Sequence, residues 1–368
     1  MKKICMSLVV FGSVLFGSNE EINLGKMLFF DPNLSKNRTQ SCATCHNPNS
    51  GFIDNRENGI GGMVSLGDDG KSLGDRNTPT ASYASFSPHF YYDVKKKVYK
   101  GGQFWDGREK DLKGQAGGPP LNPIEMGMSS KKEVVTRLKE NKEYVEIFQK
   151  IYGKDIFKNH NKAYEAMSKA IASFETTKEF APFDSKYDRY LRGEYEMTQK
   201  EELGKALFFS NNNTNCAVCH ILKGEDKEGE TFTNYEYHNI GVPSNKVLFE
   251  KGVVKVGFKD IGLAKNPKAK SKENEGKFKV PTLRNIAITA PYMHNGVFKD
   301  LRTVIAFYDK FNNPSRVNNP ETNQPWEEAE VQHTINHKDL KMKKLSEEKI
   351  DALVAFLKTL TDKRYETP

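Results

Sequence analysis

Along this 368-residue chain, apolar positions recur with the 3.6-residue period of helices far more than with the alternation of strands. From Ala163 onward, Tyr164, Met167, Ile171 and Phe174 mark one helical face. Ser346 caps a last helix whose Ile350, Leu353, Val354, Leu357 and Leu360 form a single stripe. Ser130 with Glu133 reads as a capping box opening a helix through Val134, Val135 and Leu138, and Thr198 with Glu201 as a second. Strand-like runs are few and short. Residues 50–80 and 251–279, rich in Gly, Asn, Asp and Lys, read as loops, and loops this long usually serve a function.

The pattern also repeats. Leu24-Gly25-Lys26-Met27-Leu28-Phe29-Phe30 returns as Leu203-Gly204-Lys205-Ala206-Leu207-Phe208-Phe209. Each copy precedes a Cys-x-x-Cys-His pentapeptide, by twelve residues in the first case and seven in the second. The chain therefore predicts a mainly α protein of two cytochrome c-like helical domains with long loops, arisen by internal duplication. The boundary falls most naturally between Tyr187 and Met197, giving domains 19–190 and 191–368. The C-terminal helix is free to pack back on the first domain.

The first eighteen residues stand apart. Lys2 and Lys3 precede an apolar run from Ile4 to Phe16, and Gly17-Ser18 lead into the acidic Asn19-Glu20-Glu21. This reads as a signal peptide and predicts a periplasmic protein, with a membrane-anchored N-terminus as the competing reading. The net charge of +8, reduced by two if that segment is removed, is spread over a lysine-rich surface. A solvated face explains it, docking of an acidic partner is a weaker alternative, and nucleic acid is a poor partner for an exported protein.

Of five cysteines, Cys5 lies in that leader. The other four form Cys42-Ala-Thr-Cys45-His46 and Cys216-Ala-Val-Cys219-His220. In this signature the two thiols form thioethers to the vinyl groups of a haem, and the adjoining histidine is the proximal iron ligand. A structural zinc site or a dithiol redox pair would also use Cys-x-x-Cys, but neither requires a histidine after both pairs. Two covalent c-type haems account for every remaining cysteine.

Further strings carry a family resemblance. Gln103-Phe-Trp105-Asp106-Gly107-Arg108, the run from Gln115 to Met126, Val280-Pro281-Thr282-Leu283-Arg284-Asn285 and Ala290-Pro291-Tyr292-Met293-His294-Asn295-Gly296 resemble the bacterial di-haem cytochrome c peroxidases. The resemblance covers essentially the whole chain after the leader. It implies a peroxidatic N-terminal haem on His46 and an electron-transferring C-terminal haem on His220. It makes Glu125 the distal acid-base residue, Gln115 its neighbour, and Trp105 the residue between the haems. Without it, Glu125 would read as a solvated loop carboxylate, and Trp105 serves equally as a packing residue. Asn77, Thr289 and Pro291 correspond to the family's calcium site, which hard oxygen ligands suit.

Two departures qualify the resemblance. Reductively activated members block the peroxidatic iron with a histidine after the first pentapeptide, yet none lies between His46 and His89. Met63 stands in that loop, and a lone methionine there reads as packing, so an open sixth position is expected. The second haem's usual distal methionine, fourteen residues after His294, is replaced by Tyr308. That resembles the MauG-type branch, whose members oxidise protein side chains through a His/Tyr-ligated haem; a core aromatic beside Leu301, Val304 and Ile305 is the alternative. His89, His160, His238, His333 and His337 carry no motif and read as ordinary surface or buried histidines. The expected function is peroxide reduction with electrons from a small periplasmic donor such as a c-type cytochrome. The alternatives are MauG-like oxidation of a partner protein and a non-catalytic electron carrier; a homodimer is compatible with each.

Overall fold

In a computed structural model, residues 18–211, 213–222 and 229–366 are described. The leader lies outside them. The longer helices are α1 (Asn19–Phe29), α2 (Lys131–Glu140), α3 (Lys142–Tyr152), α4 (His160–Glu175), α5 (Gln199–Phe208), α6 (Leu301–Asp309) and α7 (Glu347–Lys358). Among the described residues, strands are confined to three two-stranded antiparallel ladders. These are β1 (Tyr91–Asp93) with β2 (Val98–Lys100), β3 (Tyr237–His238) with β4 (Phe278–Lys279), and β5 (Asn318–Asn319) with β6 (Gln324–Pro325). Among the described residues no helix is long and apolar enough to cross a membrane.

The repeated string builds the same crossing twice. α1 packs on α4, and α5 packs on α7. At each crossing a glycine allows backbone to meet backbone. A Cβ added at Gly25 would stand 1.9 Å from the Ala170 carbonyl oxygen, and one at Gly204 1.9 Å from that of Ala352. The phenylalanines that follow pack edge-on against the partner helix, Phe29 on Phe174 at 5.5 Å and Phe208 on Phe356 at 5.2 Å. Each pair anchors a separate apolar core.

The caps follow the sequence with one difference. Thr198 and Glu201 form a reciprocal capping box, and Ser346 Oγ accepts from Lys349 N. Ser130 accepts from Glu133 N, but the Glu133 carboxylate turns back to the amide of Ser129, 2.9 Å away, instead of Ser130. The box is half formed because a nearby serine competes for the acid.

α7 stays within the second core, against α5 and α6. The tail beyond it reaches the first domain: Tyr83 donates to Asp362, Tyr365 to the Pro48 carbonyl, and Arg364 to that of Glu179. Tyr187, in the helix Lys186–Leu191, already packs in the second core. Arg284 is fully buried there, donating to Asp188 at 2.6 and 2.8 Å and to the Glu230 carbonyl at 2.7 Å. Arg76 binds Asp260 at 2.6 Å and Asp106 at 2.7 Å, which ties the two halves at the level of the functional pockets.

Candidate functional site: two histidine-based pockets

Each Cys-x-x-Cys forms one short helical turn, Cys42–Cys45 or Cys216–Cys219, that presents its histidine to a cavity. His46 Nδ1 meets the Phe52 carbonyl at 3.1 Å, and His220 Nδ1 that of Phe232 at 2.8 Å. Both phenylalanines adopt left-handed backbone, φ 55° and 52°, which turns those carbonyls toward the rings. A carbonyl accepts only, so Nδ1 carries the proton and Nε2 keeps its lone pair for a metal. Burial lowers the pKa of His46, and that of His220 to about 4, so both rings are neutral. None of the four cysteines is in a disulfide, and burial raises all four thiols, Cys45 and Cys219 to about 12. Two free thiols, a neutral imidazole with a fixed tautomer and an adjoining cavity fit a c-type haem at each site.

The first cavity brings together Cys45, His46, Trp105, Gln115 and Glu125. Gln115 comes from the short helix Leu112–Ala116, started by Asp111. Glu125 Oε1 accepts from Asn122 Nδ2 at 2.7 Å. Burial raises the Glu125 pKa despite that bond and the nearby charge of Arg108, which both favour the carboxylate. An acid moved upward in this way holds a proton more readily than an ordinary carboxylate, as a proton-transferring group must.

Met63 does not line either cavity. It is buried with Ile60, Val64, Leu248 and Val254, and its sulfur accepts from Asn245 Nδ2 at 3.2 Å. The loop after His46 thus directs its one thioether into packing.

Trp105 lines both cavities. Its indole N–H donates to the Asn77 carbonyl at 2.8 Å, and Asn77 N donates to the His294 carbonyl at 2.7 Å.

The second cavity contains Cys216, Cys219, His220 and Tyr308. Its walls include Leu301, Val304, Ile305, Leu353 and Leu357. Tyr308, on α6, makes no hydrogen bond through its hydroxyl among the described residues, and burial pushes its pKa well above the ordinary phenol value. Only a cation would hold it as phenolate there.

Asn77, Thr289 and Pro291 line this cavity's wall. Among the described residues nothing donates to Asn77 Oδ1 or to the Thr289 and Pro291 carbonyls.

One residue of the first cavity escaped the sequence reading. Glu175, the last residue of α4, is 4% exposed, and its Oε2 has no partner. Burial alone raises its pKa to about 8. The duplication signals it, since the residue after Phe356 at the matching crossing is Leu357.

Comparison with known proteins agrees with these pockets. The family described as di-haem cytochrome c peroxidase matches residues 19–196, and that described as cytochrome c matches residues 201–361. The chain is 49% identical to the methylamine utilization protein MauG of Paracoccus denitrificans, over 93% of this chain and 89% of that one. It is 32% identical to the cytochrome c551 peroxidase of Pseudomonas aeruginosa, over 78% and 71%. The crystal structure of the diheme peroxidase BthA from Burkholderia thailandensis superposes with a TM-score of 0.85 at 29% identity, covering 95% of this chain and 88% of that one.

Proposed function

The chain belongs to the di-haem cytochrome c peroxidase and MauG family, and from that membership we propose that it is a periplasmic enzyme that reduces hydrogen peroxide to water with electrons drawn from a partner protein side chain. Peroxide takes up two electrons and two protons and yields two waters. The observation that carries the reading is Tyr308, facing the same cavity as His220 where an ordinary peroxidase has a methionine.

The haems, when bound, supply the peroxide-binding iron and the redox capacity. Glu125 moves the proton from one peroxide oxygen to the other, and Asn122 fixes which carboxylate oxygen is free for it. Gln115 orients peroxide from the same wall. Met63, held in packing and absent from the first cavity's lining, would offer no ligand to a group bound there. Trp105 carries electrons between the pockets, its indole fixed by the Asn77 carbonyl. With a haem held by Cys216, Cys219 and His220, Tyr308 would offer it an anionic oxygen, and ligand identity strongly sets haem potential. Its charge would favour the oxidised state and make the second site a poor acceptor from a donor poised like a His/Met cytochrome.

A calcium ion would be held by Asn77 Oδ1 and the Thr289 and Pro291 carbonyls, hard oxygen donors to which no group among the described residues donates.

The competing electron source is a small c-type cytochrome, the donor expected of the cytochrome peroxidases in the family. Steady-state peroxide consumption with reduced c-type cytochrome decides between them. The proposal expects turnover well below about 10 s⁻¹, the ordinary enzymatic scale. Turnover at or above that rate would make the protein a cytochrome peroxidase.

A further inference from the structure

Two imidazoles without motifs face the second cavity, separated by one ring. His238 on β3 pairs with Phe278 on β4, and the His294 ring stacks on Phe278 at 3.6 Å, 10° from parallel. Both histidines line the cavity that Cys216, Cys219 and His220 open onto. In both, Nε2 is buried and has no hydrogen-bond partner among the described residues.

The tautomer of His238 follows from its neighbours. Asn336 Nδ2 donates to Asp339 Oδ2 at 2.6 Å, which fixes the amide orientation because a carboxylate only accepts. The same nitrogen lies 3.0 Å from His238 Nδ1, so Nδ1 accepts and Nε2 carries the proton. Nearby carboxylates do not pair with either Nε2. Glu236 stands 3.8 Å from His238 Nε2 and is held by Lys100 at 2.9 Å. Glu330 stands 3.7 Å from His294 Nε2 and accepts from Asp260 N at 3.0 Å. Lys279, beside Phe278, also lines the cavity, and one of its three ammonium protons goes to the Gly102 carbonyl.

Buried ring nitrogens without partners are rare in a folded protein and point to a missing group. A haem tethered through its two former vinyl groups at Cys216 and Cys219 carries two propionates on another edge. We propose that His238 and His294 each hydrogen-bond one propionate of the second haem, with the Lys279 ammonium as the countercharge on the same wall. The assignment rests on the haem reading of this pocket. It gives the wall a second task, because the same backbone reaches Trp105: Lys279 N donates to the Trp105 carbonyl at 2.9 Å, and the His294 carbonyl accepts from Asn77. The carboxylates of the second haem are thereby joined to the residue between the pockets.

Hydrogen bonds to propionates withdraw negative charge from a haem. In holoprotein, His238→Ala or His294→Ala therefore lowers the midpoint potential of the second haem and shifts its propionate-bending Raman band, while the first haem is unmoved. His→Gln at either position keeps a donor nitrogen within reach and stays close to wild type. Unchanged potential and Raman band in both alanine variants, with both haems attached, overturn it, as do glutamine variants that match alanine. Wild-type protein lacking the second haem overturns the pocket reading on which it rests.

Discussion

The two halves share a scaffold and differ in what they place around their cavities. Gly25 and Gly204 make equivalent crossings, and a phenylalanine carbonyl holds each proximal histidine. At the residue after the crossing phenylalanine the halves part. The first presents Glu175 to its cavity, with Glu125 and Gln115 elsewhere on the wall, and the second presents Leu357, with Leu353, Ile305 and Tyr308. The histidine-presenting scaffold is the same in both halves, and under the proposed function it is the side chains on the cavity walls that separate proton chemistry from electron transfer. The polar groups on one wall are what peroxide cleavage needs. Around Tyr308 the second wall is instead aliphatic, with Leu353, Leu357 and Ile305, and offers no carboxylate of the Glu175 kind at that position.

The largest expected effect lies on the acidic side. Glu125→Gln leaves both haems attached and slows peroxide turnover by roughly 10²–10⁴-fold, the usual worth of a positioned acid-base group. Activity within a few-fold of wild type would remove Glu125 from the chemistry, and with it the contrast between the pockets.

Glu175 sharpens the contrast through pH. Its folded pKa of about 8 lies above the ordinary 4.5, so between those values the native state binds the proton that the unfolded state has lost. Wild-type stability therefore falls as pH rises through that window. Glu175→Leu, which copies the second half, removes this dependence and gains on the order of 3 kcal/mol relative to wild type at pH 8, less at pH 5. Denaturant midpoints across that range measure it, and parallel profiles for the two proteins would show that Glu175 is not protonated by burial.

The shared scaffold predicts equality where the cavities predict difference. Gly25→Ala and Gly204→Ala each force a methyl into a backbone oxygen and cost about 1–3 kcal/mol. A cost confined to one of them would break the equivalence of the crossings.

Much of this scaffold is legible in the sequence. The repeated Leu-Gly-Lys string, the helical stripe around Phe174 and the two Cys-x-x-Cys-His sites all lie within short windows. Glu125, Gln115 and Trp105 depend on the family resemblance, since no local pattern separates Glu125 from a solvated acid. Glu175 stands at a helix end where acids are ordinary, and it is buried only by segments distant in sequence. The same holds for His238: nothing in Glu236-Tyr237-His238-Asn239 shows that Asn336, 98 residues on, fixes its tautomer. Met63 is legible as packing only in the negative sense that no motif surrounds it.

The claim that the first pocket is open at rest while Tyr308 serves the second is tested most directly in the oxidised protein. EPR of the fully oxidised holoprotein should show one high-spin and one low-spin ferric haem, and peroxide added without any reductant should change the optical spectrum at once. Two low-spin signals, with reactivity appearing only after half-reduction, would contradict the account and place the protein among the reductively activated peroxidases.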